Sequence, residues 1–245
     1  MTTISKPRSS AARDAVYADI FSQAITGELI GMANYAAMVR LYPDVEGQCD
    51  ALEHAATELG HSKAFRRAAR ELGVTPIVNP AAPYWKRIRV AFLKAVDAGD
   101  LTACLLIQEV MLESFAVAMY QAVAEVEDED VAKVFRRIAA EEQGHVGHAV
   151  EELRGALAAD QDAFEAKLET LHDEVMTTLA QMLGSKDSIG HCELCHGSCV
   201  KGSLPKVGLN RADMRGRALN HYLRTLDLIG VRGERSLAWV ARLPL

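Results

Sequence analysis

The stretch 51–65, ALEHAATELGHSKAF, and its counterpart 134–150, VFRRIAAEEQGHVGHAV, decide how this 245-residue chain folds. Each carries a Glu and a His three positions apart, Glu58 with His61 and Glu142 with His145, on an otherwise apolar helical stripe. The first stripe reads Ala51, His54, Glu58, His61, Phe65, Ala68, Leu72; the second reads Val131, Phe135, Ile138, Glu142, His145, Ala149, Leu153. Positions three apart lie about 60° apart around an α-helix, so carboxylate and imidazole can reach one metal ion. Two more glutamates are embedded in the same way: Glu28 among Tyr17, Phe21, Ala24, Tyr35 and Val39, and Glu113 among Leu106, Val117, Tyr120 and Ala124.

In an antiparallel helix pair, residues equally far from the turn stand at equal height. Glu28 and Glu58 lie 15 residues on either side of Pro43, and Glu113 and Glu142 straddle the acidic stretch 125–130, which is polar enough to be a turn. Two helical hairpins therefore bring all six residues to one level. A Glu from each of two helices and a Glu-x-x-His from each of two others is the ligand set of a carboxylate-bridged two-iron centre in a four-helix bundle. Burying four carboxylates without compensation costs several kcal/mol per ion, on the order typical of buried charges, and the stripes hold no Lys or Arg. Two divalent ions supply the missing positive charge, and a carboxylate and imidazole set suits iron or manganese better than a soft metal.

Glu-x-x-His also occurs at Glu169/His172 and Glu193/His196. Glu169 and His172 follow Asp162 and Glu165 and fall off the Phe164, Leu168, Leu171, Val175, Leu179 face, so they read as solvated surface.

The composition predicts an all-α domain. The chain is 49% hydrophobic with seven prolines, enough apolar material for one large core. Helices are expected at 12–41, 45–72, 84–97, 100–124, 130–158, 160–183 and 211–228, with the proline-rich segment 74–83 opening a crossover between the hairpins. The expected organisation is a polar tail at 1–11, the bundle at 12–183, an irregular Cys/His-rich insertion at 184–208, and a C-terminal helical segment at 209–245 packing on the bundle. No uninterrupted apolar run approaches the length of a membrane span, and the start is polar without a signal-type segment, so a cytoplasmic location is expected. A net charge of −6 with dispersed bases argues against a nucleic-acid surface.

At these residues the chain resembles the cyanobacterial aldehyde-deformylating oxygenases, also called aldehyde decarbonylases, of the ferritin-like diiron superfamily. The likeness rests on Gly27-Glu28 followed by Asn34-Tyr35, on Glu58-Leu-Gly-His61 with Lys63 and Phe65, on Cys104-Leu-Leu-Ile-Gln108 with Glu113, Phe115, Ala116 and Tyr120, and on Glu142-Gln-Gly-His145. The resemblance implies a ferritin-like bundle with a crossover helix and additional C-terminal helices. It also implies a centre of two Fe ions, O2 as co-substrate, an external electron donor such as ferredoxin plus a reductase, and conversion of a fatty aldehyde to formate and an alkane one carbon shorter. Tyr35 and Tyr120 are candidates to donate hydrogen bonds or electrons near the centre, or are plain core aromatics.

Three positions depart from the family. Glu109, one turn before Glu113, replaces a small apolar residue and is a candidate ligand, proton relay or contact for a polar substrate, or an acid at the bundle edge. Met119, with Ala24 a candidate lining of the substrate channel, stands where the family has alanine. His148, one turn beyond His145, reads as a histidine beside the site or on the surface rather than another ligand. The insertion contains His191, Cys192, Cys195, His196 and Cys199; Cys192, Cys195, Cys199 and His196 are candidate zinc ligands, and a redox dithiol or disulfide, an iron–sulfur or haem site, or an unliganded loop stay open. Cys49 and Cys104 read as buried thiols. Two further functions remain beside aldehyde deformylation: a diiron N-oxygenase or hydroxylase on a smaller, more polar molecule such as an amine, favoured by Glu109 and Met119, and a ferritin-like ferroxidase.

Overall fold

The computed structural model describes residues 11–126, 129–184 and 200–244, and among them every regular element is helical. The cysteine-rich segment with Cys192, Cys195, His196 and Cys199, and the Glu193/His196 pair, lie outside the described residues. Four long helices form the bundle: α1 Ala11–Met38, α2 Val45–Glu71, α4 Leu101–Val126 and α5 Glu129–Ala159. The hairpins α1–α2 and α4–α5 make the most extensive pairings, and α3 Pro83–Asp97 is the crossover between them.

Local chemistry sets the boundaries. Asp44 caps α2 by accepting from Gly47 N at 2.8 Å, Asp100 caps α4 through Ala103 N at 3.0 Å, and Pro83 begins α3, where its missing N–H is no loss. α2 ends at Gly73, whose φ of 75° lets Val74 N reach back to Ala69 O. After α5 comes α6, residues 161–184, and then a 3₁₀ segment Val200–Val207 lying on α1 where an irregular stretch was expected. α7 Arg211–Ile229 packs on α4 and α5, and α8 Gly233–Ala241 follows it.

Two helices are not uniformly α. Residues Leu106–Leu112 within α4 and His172–Met176 within α6 are π-helical, a local widening that periodicity does not announce. Leu101–Val126 is also long and apolar enough by composition to cross a bilayer, but most of that stretch is buried inside the bundle, as the core helix of a folded domain is.

Two surface expectations fail. His172 is fully buried: one turn after Leu168, it is covered by the C-terminal helices, with Nδ1 3.1 Å from the Tyr222 hydroxyl and Trp239 beside it. Its partner Glu169 accepts hydrogen bonds from Arg235 and Arg242, so the third Glu-x-x-His is an anchor for the C-terminal helices rather than solvated surface. Cys104 is buried as expected, whereas Cys49 is exposed near the start of α2, where that helix turns the position outward.

Candidate metal centre and apolar cavity

All six residues of the sequence pattern are buried and converge: Glu28 from α1, Glu58 and His61 from α2, Glu113 from α4, Glu142 and His145 from α5. Their ligand atoms form two groups, each within 4.8 Å: Glu28, Glu58, His61, Glu142, and Glu58, Glu113, Glu142, His145. Glu58 and Glu142, the acids of the two Glu-x-x-His motifs, belong to both groups. Each group thus has one histidine, one acid of its own and two shared acids, as two ions bridged by carboxylates require.

The imidazoles are aimed at the acids. His61 Nδ1 lies 3.1 Å from Glu28 Oε2 and 2.7 Å from Glu142 Oε1, and His145 Nδ1 lies 3.1 Å from Glu142 Oε2 and 3.8 Å from Glu58 Oε1. The far nitrogen of His61, Nε2, donates to Glu141 Oε2 at 2.6 Å, the usual way a carboxylate fixes the orientation of a metal-binding histidine. Glu141 went unnoticed in the sequence because it reads as a surface acid beside Glu142; its i,i+4 pairing with Arg137 was the available signal.

Burial and crowding push the Glu58 and Glu113 carboxyls well above the usual range, burial first and Glu142 next. Burial and then Glu28 raise Glu142 as well. Burial pulls His61 down, but hydrogen bonds to Glu142 and Glu28 outweigh it and push it up to about 11. Glu58 Oε1 is buried without a hydrogen-bond partner, and the Glu142 oxygens have only the imidazoles of His61 and His145 beside them. Four buried acids share two imidazoles with no Lys or Arg among them, a set that fits divalent metal ions and leaves an all-protein arrangement under-satisfied.

Around this cluster, polar contacts fix individual ligands. The Tyr120 hydroxyl donates to Glu28 Oε1. Arg89 donates to Asn34 Oδ1, Asn34 Nδ2 donates to Gln108 Oε1 at 2.6 Å, and Gln108 Nε2 donates to Glu113 Oε1 at 2.8 Å. That last bond links residues five apart, which share a face because the intervening turn is π-helical. Gly31 makes the room: a Cβ there would stand 3.0 Å from Glu58 Oε2 and 3.2 Å from Gln108 Nε2.

Tyr35 is buried with an unpartnered hydroxyl, its ring near His54 and His145. Burial, then the charges of Glu109 and Glu113, raise its pKa well above the ordinary value. Glu109 is fully buried with both oxygens unpartnered, so it is no acid at the bundle edge. It stands outside both ligand groups, and His148 Nδ1, 4.0 Å away, is its counterpart. The Glu109 carboxylate beside it pushes His148 up to about 8.

An apolar cavity of about 150 Å3 opens onto the other side of the cluster, with Glu28, Glu58 and Glu113 in its wall. Ala24 and Met119 both line it, as the sequence suggested, together with Phe115, Val123 and Phe135. Gln23, one of its polar lining groups, accepts from Trp85 Nε1 at 2.9 Å.

Comparison with known proteins agrees with this geometry. A family model described as long-chain fatty aldehyde decarbonylase matches residues 9–189. Among solved structures, a Synechococcus protein described as "Protein 19 with aldehyde deformylating oxidase activity" matches with a TM-score of 0.81 at 20% sequence identity. That match covers 95% of this chain and 98% of the other, and it establishes a shared ferritin-like bundle.

Proposed function

The chain belongs to the long-chain fatty aldehyde decarbonylase family, and from that premise we propose that it is an O2-dependent diiron enzyme converting an aldehyde to an alkane and formate. Two irons would be held by Glu28, His61, Glu113 and His145, with Glu58 and Glu142 shared between them. When bound, ferrous ions supply the site at which O2 is reduced and made reactive toward the carbonyl carbon.

The protein's own groups place and shield. Tyr120 holds Glu28 and Gln108 holds Glu113, so these acids keep their orientation as charge changes between them. The cavity wall takes the alkyl chain and excludes water; among the described residues Asp19 is the one lining acid outside the cluster, so the aldehyde carbonyl faces Glu28, Glu58 and Glu113. Tyr35 and Glu109 lie outside the cavity lining, and burial raises the pKa of both. Glu109 does not line the cavity, which removes the main reason to expect a polar substrate there.

The observation that carries this reading is the opening of an apolar cavity directly onto three of the clustered carboxylates. Protein loaded anaerobically with Fe(II), then given an aliphatic aldehyde, a reductant and O2, is expected to release formate and the alkane one carbon shorter in equal amounts. Oxidation of iron with deposition of ferric mineral and no formate would instead make it a ferroxidase.

A further inference from the structure

The outer face of His61 opens onto a second, very different surface. A groove between α2 and α5 has His61 in its lining, with Lys63, Arg66, Arg67 and Arg70 along one wall and Arg137 and Glu141 along the other. The four α2 cations follow i, i+3, i+4, i+7 spacing and so form a single stripe. All four are exposed, and none pairs with an acid among the described residues. Glu141, the one acid in the groove, is already engaged by Arg137 and His61. A chain of net charge −6 thus concentrates uncompensated positive charge at one concave place, where a cleft focuses the field.

We propose that this groove is the docking site of a small acidic electron-carrier protein, which delivers electrons to the metal centre through His61. The proposal rests on the aldehyde-deformylating reading, because that reaction needs an external reductant. Written in balance, RCHO + O2 + 4 e⁻ + 4 H⁺ gives RH + HCOOH + H2O: the aldehyde is cleaved without net oxidation, and the electrons all go to O2. The carrier is oxidised and the protons come from solvent. The groove is where the candidate centre approaches the surface, since His61 bridges the two directly, Nδ1 to Glu28 and Glu142 and Nε2 to Glu141 on the groove wall. A compact acidic protein can enter the concave, cationic lining, which a flat anionic bilayer cannot follow.

The test compares wild type with Arg66→Glu/Arg67→Glu and with a control pair on the crossover helix, Lys86→Glu/Lys94→Glu, using an acidic [2Fe–2S] ferredoxin as probe. Calorimetric titration at low salt should give wild type and control equal affinity, weakening steeply with added salt, and the groove variant about tenfold or more weaker. Iron content and turnover with a small-molecule reductant should be the same in all three, while ferredoxin-driven turnover falls only in the groove variant. Equal binding by wild type and groove variant, equal weakening in the control, or no binding by wild type would overturn the proposal, as would groove-dependent binding to phosphatidylglycerol vesicles in place of ferredoxin. Groove-dependent ferredoxin binding without formate release would leave the docking surface standing and remove the aldehyde reading; formate release with a chemical reductant but no ferredoxin binding would do the reverse.

Discussion

His148 Nδ1 stands 4.0 Å from Oε2 of Glu109, a carboxylate that is otherwise buried without a hydrogen bond. Burial pushes the Glu109 carboxyl up, against the pull of His148 and His145. A poorly satisfied buried acid destabilises its own fold by roughly 1–3 kcal/mol. Replacing it with an apolar residue, Glu109→Val, is therefore expected to raise the melting temperature of the metal-free protein by several degrees, about 2–4 °C per kcal/mol at this size. Formate release should fall at least tenfold if Glu109 carries protons for the reaction. A variant that melts higher and turns over like wild type would reduce Glu109 to a tolerated defect.

The clearance between Gly31 and Glu58 makes a sharper test of the metal centre. A methyl group on Gly31 would crowd Glu58 Oε2 and Gln108 Nε2, yet alanine is the better helix former by about 1 kcal/mol. Gly31→Ala is expected to leave the metal-free melting temperature unchanged or slightly raised while lowering bound iron, measured by plasma emission, well below the wild-type value near two per chain. Wild type should gain thermal stability on adding Fe(II), because binding only to the folded state stabilises it, and lose that gain to a chelator. An iron-loaded Gly31→Ala protein with wild-type stoichiometry would show that Glu58 is not held as a ligand.

The ligand pattern was legible in the sequence because it obeys α-helical geometry: Glu58 with His61 and Glu142 with His145 are one turn apart on apolar stripes, and the hairpin symmetry sets their height. The parts that were not legible involve departures from that geometry or partners far along the chain. The bond from Gln108 to Glu113 needs a π turn, which no apolar period encodes. The burial of His172 depends on Tyr222, 50 residues along the chain, and on Trp239 beyond it, so its own helix could not reveal it. Nothing in the sequence marks Gly31, because the groups pressed against it, Glu58 and Gln108, come from other helices.

Met119 lines the cavity that opens onto Glu28, Glu58 and Glu113. A space of about 150 Å3 is of the size that holds a benzene-like guest, so chains of roughly six to eight carbons are expected to be preferred over much longer ones. Met119→Ala removes flexible bulk from the wall and should shift the optimum of kcat/KM toward longer aldehydes, most visibly through KM. The measurement is formate release across an aldehyde series from pentanal to hexadecanal. An unchanged profile would place the selecting contact elsewhere along the wall.

The C-terminal helices are tied down by a charge network whose pH dependence has a definite sign. Glu165 is buried and accepts from Arg232 N at 3.0 Å, Arg232 Nε at 2.7 Å and an Arg235 guanidinium nitrogen at 3.0 Å. Burial alone would raise its carboxyl, but the side-chain and backbone hydrogen bonds of Arg232 hold it down at about 2. An unfolded glutamate titrates near about 4.3, so the unfolded chain binds this proton more tightly than the folded one. The stabilisation is therefore fully present above about pH 5 and is lost progressively as pH falls toward 2. Its size is on the order of 3 kcal/mol before allowing for the partly exposed arginines, and nearer 2 after it. Urea unfolding of Glu165→Gln should show a loss of about that amount at pH 7 and a gap from wild type that narrows steadily below pH 5. The clustered glutamates titrate alike in both proteins and cancel in the difference. A gap independent of pH between 7 and 3 would mean that Glu165 acts through its shape and neutral hydrogen bonds, and that its charge does not hold Arg232 and Arg235 in place.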